Sequence, residues 1–242
     1  MKILVLGASG ATGGHLVEQL LLENQSIKII VRPSANIPHS WIYDQRINVI
    51  KADISAMTSD EAVHHIKDCR AIVSCLGHNM SLKGIYGKPR KLVSDTIKLF
   101  CDAIRKGVFD SPMKFILMNT AGYRNKDNNE QISQLQKISM AIIRTVLPPH
   151  RDNEYAAEYL RKYIGKDNPK IEWVVVRPDN LTTESPVSAY DTELSPTSTL
   201  FKPHKVSRLN VAHFMAKLIQ EPELWKKWRG NMPVIFNMNE NI

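Results

Sequence analysis

Three glycines, Gly7, Gly10 and Gly13, stand three positions apart near the start of the chain. Ahead of them, Ile3 to Leu6 is an apolar run too short for a helix and suited to a strand buried on both faces. Behind them, from about Ala11 to Glu23, apolar residues recur at helical spacing. A strand that turns through glycines into a helix makes a cradle for a phosphate. Gly7 lets the chain turn sharply at the strand end. Gly10 leaves out a side chain where an anion would approach the backbone, and Gly13 lets the helix lie close on the strand. The helix then points its free N–H groups and the positive end of its dipole at the loop. Gly7, Ser9, Gly10, Ala11, Thr12 and Gly13 are therefore expected to hold a diphosphate. The spacing is G-x-x-G-x-x-G, which departs from the G-x-G-x-x-G of the standard dinucleotide fingerprint.

Other residues extend the same site. Arg32 follows a second apolar run, 19 positions after Gly13. An acidic residue there would bond a ribose 2′-hydroxyl, whereas an arginine favours a 2′-phosphate or lies flat on an adenine ring. The expected cofactor is thus NADP(H) in preference to NAD(H), with Ser34 as a second phosphate donor. Asp53, followed by Ile54, closes a third run, where its carboxylate would either accept from an adenine amino group or serve as an ordinary turn residue. Cys75-Leu76-Gly77 closes a fourth, and Gly77 would let the chain pass close to a ribose.

The elements that must position these residues alternate. Strands are predicted at Ile27 to Val31, Ile47 to Ala52, Ala71 to Cys75, Met113 to Met118 and Ile171 to Val176, with a last one at Pro233 to Phe236. Ser59 or Asp60 is expected to cap a short helix ending near Lys67. A longer helix carries Leu92, Val93, Thr96, Ile97, Phe100, Ala103 and Ile104 on one face. Glu130 to Val146 is predicted as a helix stopped by Pro148-Pro149. Asp152 is expected to cap the next helix, with Tyr155, Ala156, Tyr159, Leu160, Tyr163 and Ile164 as its apolar stripe. Ser207 caps a helix to Gln220, and a short helix carries Trp225 and Trp228 as core residues. Such alternation predicts an α/β, Rossmann-type doubly wound, mostly parallel sheet with helices on both faces. The chain is expected to form a single domain over residues 1–242. Residues 180–206, rich in Thr, Ser and Pro, read as a loop and a substrate-side lid.

The 242 residues carry 32 basic and 24 acidic side chains, a formal charge of +8. The basic residues are scattered, which suits an anionic small molecule better than a specific nucleic-acid surface. The three cysteines include no C-x-x-C pair and read as reduced, buried or half-buried residues of a cytoplasmic protein. Gly7 interrupts the first apolar run too early for a signal peptide, and no stretch is long enough to span a membrane. His64-His65 lacks further ligands at useful spacing, so no metal is expected. A monomer or homodimer acting on a small-molecule substrate is the expected form.

Taken in order, Gly7-Ala8-Ser9-Gly10-Ala11-Thr12-Gly13, Val31-Arg32, Ala52-Asp53, Ser74-Cys75-Leu76-Gly77, Asn119-Thr120-Ala121-Gly122, Arg177-Pro178 and Ser207-Arg208 resemble the atypical short-chain dehydrogenase/reductases. That group of NAD(P)H-binding proteins includes the flavin and biliverdin-IXβ reductases and the NmrA-like regulators. The resemblance spans nearly the whole chain. It implies a Rossmann-type sheet, NADP, a contact of Pro178 with the cofactor, and a substrate pocket roofed by the segment after the sixth strand.

One departure bears on chemistry. The wider superfamily pairs a tyrosine with a lysine four positions on, so that Lys⁺ eases proton movement at the tyrosine while hydride moves. No tyrosine here has a lysine at that spacing, and Tyr159 stands four positions after Tyr155. Tyr155 is the candidate for the tyrosine place, although the tyrosine stripe also reads as core packing. Thr120 is the candidate hydroxyl near the nicotinamide, and His150 and His78 are candidate acids. Without the pair, a reductase works on an acceptor whose product anion is delocalised, such as a flavin or quinone. The competing expectation is a non-catalytic NADP-binding sensor of the NmrA-like kind.

Overall fold

The computed structural model describes residues 1–78, 86–128, 130, 139, 144, 147–198 and 203–238. The glycine-flanked run becomes strand β1 (Lys2–Leu6), and helix α1 (Ala11–Leu22) follows it. Then come β2 (Ile27–Val31), α2 (His39–Tyr43), β3 (Ile47–Lys51), α3 (Ser59–Ile66), β4 (Cys69–Ser74) and α4 (Leu92–Lys106). The chain continues through β5 (Met113–Met118), α5 (Pro148–Tyr159), a π-helical turn (Leu160–Ile164) and β6 (Ile171–Pro178). Three short strands, β7 (Asn180–Thr182), β8 (Tyr190–Glu193) and β9 (Lys205–Ser207), precede α6 (Arg208–Gln220), α7 (Pro222–Trp228) and β10 (Val234–Asn237).

Eight strands form one sheet in the order β3-β2-β1-β4-β5-β6-β10-β8. All neighbours run parallel except β8, which is antiparallel to β10. The order reverses beside β1, which is where doubly wound sheets open their ligand crevice. Two cores lie on the two faces. One joins α1, α2, α6 and α7 to the sheet through Leu16, Val17, Trp41, Phe214 and Trp225. The other joins α3, α4 and α5 through Ile66, Ile97, Phe100, Ala156 and Leu160. The expected Rossmann-type architecture is the observed one.

Several local expectations need correction. Thr58, not Ser59 or Asp60, caps α3, because its hydroxyl accepts from Glu61 N while the Glu61 carboxylate reaches back to Thr58 N. Pro148 and Pro149 open α5 rather than only closing what precedes it, since a helix's first residues need no N–H. Asp152 therefore lies inside α5 and does not cap it. The buried stripe of α5 and its π-helical turn is Ala156, Ala157, Leu160 and Ile164. Tyr155 is 42% and Tyr163 62% exposed, so these two lie outside the core, while Tyr159 is half-buried and packs against it. Residues 180–206 are not a plain loop: β7 pairs with β9, and β8 extends the main sheet. The predicted helix from Glu130 to Val146 falls almost wholly outside the described residues.

Candidate functional site

The carboxyl ends of the parallel strands gather the predicted residues along one edge. Gly7 has φ +79°, and a Cβ there would lie 2.8 Å from the Cys75 carbonyl group. A Cβ on Gly13 would lie 2.1 Å from Gly7 O. Both glycines are thus required by the protein's own packing: Gly7 ties the end of β1 to the end of β4, and Gly13 ties α1 to the end of β1. Gly10 differs, because a Cβ there would meet only Gly7 O, at 3.2 Å. Gly10 N donates to Gly7 O, and Gly14 N donates back to Gly10 O.

Gly10 is the N-cap of α1, with no side-chain cap and no acidic residue in the first turn. The amides of Ala11, Thr12 and Gly13 have no acceptor among the described residues. Ser9, Gly10 and Ala11 are exposed, while Thr12 is buried. An exposed helix start with unspent donors and no competing carboxylate fits an anionic group such as a diphosphate.

Arg32 is exposed just beyond β2, in a turn closed by Ala35 N on its carbonyl. Asp53 is exposed beyond β3, and its Oδ1 accepts from Ser55 N at 2.9 Å and Ser55 Oγ at 2.7 Å. These bonds, with a smaller contribution from the Arg32 charge, hold the Asp53 carboxyl below its usual range. Asp53 thus caps the 3-10 turn Ile54–Ala56, and Ile54 is buried beneath it. Cys75 is buried, and burial pushes its thiol up to about 12, so it is not a nucleophile. Leu76 is half-buried, and Gly77 is exposed, with open space where a side chain would be.

Directly after Gly77, His78 Nε2 lies 2.8 Å from Asp152 Oδ2. The two side chains are only 5% and 1% exposed. Asp152 Oδ2 also accepts from Val93 N at 2.8 Å, and Oδ1 accepts from Ser94 N at 3.0 Å and from Ser94 Oγ. One carboxylate on α5 therefore caps the start of α4 and grips the loop after β4. Burial works to raise its pKa, but the hydrogen bonds from His78, Ser94 and Val93 together outweigh burial and lower it. The spacing of 74 residues leaves no local signal of this contact in the sequence.

The other catalytic candidates are placed differently. Thr120 follows β5, and its hydroxyl accepts from Gly122 N at 3.2 Å, as a turn residue does. Asn119 Nδ2 reaches Asn153 O at 2.8 Å and pins α5 to the end of β5. The Tyr155 hydroxyl accepts from Arg151 Nε at 2.7 Å. His150 Nε2 lies 3.4 Å from Glu154 Oε1 without hydrogen-bond alignment.

Arg177-Pro178 has a structural task that the sequence does not announce. The Arg177 side chain is wholly buried and pairs with Glu130 through Nη2–Oε1 at 2.7 Å and Nη1–Oε2 at 3.0 Å. Its remaining donors go to the carbonyls of Met232, Tyr123 and Leu194. Pro178 is buried, and its carbonyl accepts from Ala121 N at 2.9 Å.

Comparison with known proteins agrees with this geometry. A family model described as NAD(P)H-binding matches residues 7–222. The chain belongs to the NAD(P)H-binding family. No curated protein sequence matches this family member. Its fold is similar to that of an oxidoreductase from Lactococcus lactis, with a TM-score of 0.69 at 17% identity, covering 99% of this chain and 92% of that one. It is also similar to a short-chain dehydrogenase/reductase from Veillonella parvula in complex with NADP, with a TM-score of 0.70 at 14% identity, covering 100% and 96%. A third similar structure is the anaerobilin reductase ChuY from Escherichia coli O157:H7, with a TM-score of 0.65 at 16% identity, covering 100% of both chains. Among the described residues, no helix is long and apolar enough to cross a membrane.

Proposed function

We propose that this NAD(P)H-binding protein is a reductase that prefers NADPH and transfers hydride to a conjugated acceptor without a Tyr–Lys pair. The observation that carries the reading is the uncapped start of α1 at Gly10, with Arg32 exposed beyond the neighbouring strand. Ala11, Thr12 and Gly13 supply amide donors for the diphosphate, and Ser9 supplies a hydroxyl. Arg32 supplies charge for a 2′-phosphate. Asp53 and Ile54 border the adenine, Cys75, Leu76 and Gly77 border the ribose, and Pro178 borders the nicotinamide end. When bound, the dinucleotide supplies a hydride. Thr120, Tyr155 and His150 wall the acceptor side, and residues 180–198 with 203–206 roof it. Tyr155 here has Arg151 at its hydroxyl, and Tyr159 extends toward Asp102 and Arg105 on α4. A conjugated acceptor suits this site because the protein then supplies mainly orientation. The likeness to an anaerobilin reductase supports the reductase reading.

The test is a thermal-shift series with NADPH, NADP⁺ and NADH, followed by NADPH oxidation against flavins and quinones. A larger shift with NADPH than NADH, and oxidation with at least one acceptor, is the expected result. A larger NADH shift would overturn the role given to Arg32. Binding with no oxidation would favour the other reading, an NADP sensor without turnover, which the missing Tyr–Lys pair makes worth testing.

A further inference from the structure

Four pieces of backbone meet at the His78–Asp152 pair. Gly77-His78 leaves the end of β4, which is packed against the glycine loop through Cys75 and Gly7. Asn119 leaves the end of β5 and holds Asn153, the neighbour of Asp152. The start of α4 donates to the Asp152 carboxylate from Val93 and Ser94. The pair is thus fixed at the carboxyl edge of the sheet, one strand over from the diphosphate cradle, on the face that carries α4 and α5. Its rotational freedom is small. Asp152 is held by three donors besides the imidazole, and the imidazole is held by Asp152. A carboxylate on one ring nitrogen fixes the orientation of the ring and leaves the other nitrogen, Nδ1, as the one that exchanges a proton.

Resting on the reductase reading above, we infer that His78 delivers the proton that accompanies hydride transfer, with Asp152 as its positioning residue. An acceptor that takes a hydride gains an electron pair and one unit of negative charge. The N–H bond at His78 Nδ1 breaks, and its proton forms an O–H or N–H bond at the acceptor atom where the charge has collected. The imidazolium becomes a neutral imidazole, Asp152 stays a carboxylate, and water returns the proton in the next cycle. NAD(P)H is the reductant and leaves oxidised. The other candidates are less suited. Thr120 carries an aliphatic hydroxyl, a weak acid, whose oxygen accepts from Gly122 N; Tyr155 is 42% exposed with its hydroxyl accepting from Arg151; and His150 faces Glu154, which Arg144 already holds.

The experiment uses the full chain with His78→Gln and Asp152→Asn. His78→Gln leaves the bonds from Val93 and Ser94 to Asp152 intact, so α4 keeps its cap. First, the His78 ring signals, assigned by their loss in His78→Gln, are followed by NMR as NADP⁺ is added. They move if the ring lies beside the bound nucleotide, and unmoved signals overturn the inference. Second, NADPH turnover is compared between a quinone and the N-methylphenazinium cation. The cation becomes neutral on accepting hydride and needs no proton, whereas the quinone needs one. The quinone-to-phenazinium rate ratio falls about 100-fold in His78→Gln, the size expected for loss of a general acid. The ratio also falls in Asp152→Asn. A wild-type chain that turns over both acceptors while His78→Gln keeps the same ratio overturns the role of His78 alone. A wild-type chain that turns over neither overturns the reductase reading, and the proton delivery with it.

Discussion

A β-carbon on Gly13 would stand 2.1 Å from the carbonyl oxygen of Gly7, closer than any side chain tolerates. The two residues thus set the distance between β1 and α1, and the loop between them inherits its shape from that contact.

Gly10 and Gly13 should therefore fail in different ways. Gly13→Ala is expected to destabilise the fold by about 1–3 kcal/mol, the range for overpacking a tight site. Gly10→Val is expected to leave the urea midpoint nearly unchanged while removing the NADPH-induced thermal shift. Urea denaturation and thermal shift on the two variants separate a packing lesion from a binding lesion.

Arg32→Ala is expected to weaken NADPH binding by roughly 10- to 100-fold, the loss of one charge-assisted hydrogen-bonding group. NADH binding should change little. Isothermal titration with both nucleotides measures the ratio directly.

Removing Glu130 leaves the Arg177 guanidinium buried without its counter-ion. Glu130→Ala is expected to cost about 3–5 kcal/mol in a denaturation experiment, because breaking a buried pair strands the remaining charge. Arg177→Met combined with Glu130→Leu should recover a substantial part of that loss.

Glu158 gives the chain an acid-sensitive contact. Hydrogen bonds from Arg161, and more weakly from Lys126 and Tyr123, outweigh burial and hold its pKa at about 2, against an ordinary 4.5. A depressed carboxyl pKa stabilises the fold above the unfolded value, and that stability is lost as pH falls from about 4.5 through about 2. Solvent screening limits the contribution to about 1 kcal/mol. In Glu158→Gln, stability measured by urea titration should depend less on pH between 5 and 3, with the largest difference from wild type near neutrality.

The sheet and the glycine cradle were legible because their signals are local. Short apolar runs and glycine spacing act within a dozen residues, so β1, β2 and β5 appear where the pattern puts them. The pairing of His78 with Asp152 was not legible, because the contact is long-range. Asp152 looks like a helix cap in sequence, and only folding carries it to His78 and to the start of α4. Tyr155 and Tyr163 look like core at helical spacing, yet Ala156, Ala157, Leu160 and Ile164 fill the interface with the sheet. Arg177 likewise gives no local sign that it closes the end of β6 from within. The β7, β8 and β9 strands were missed because runs of three or four residues carry too little pattern to separate from loop.

The outermost strand on one side, β8, is four residues long and presents Asp191 and Glu193 outward. On the opposite side, β3 ends in exposed Lys51. Short margins that carry charge are poor templates for another chain's backbone. Neither border of this sheet invites a second copy to lengthen it, which guards a long parallel array against edge-to-edge aggregation.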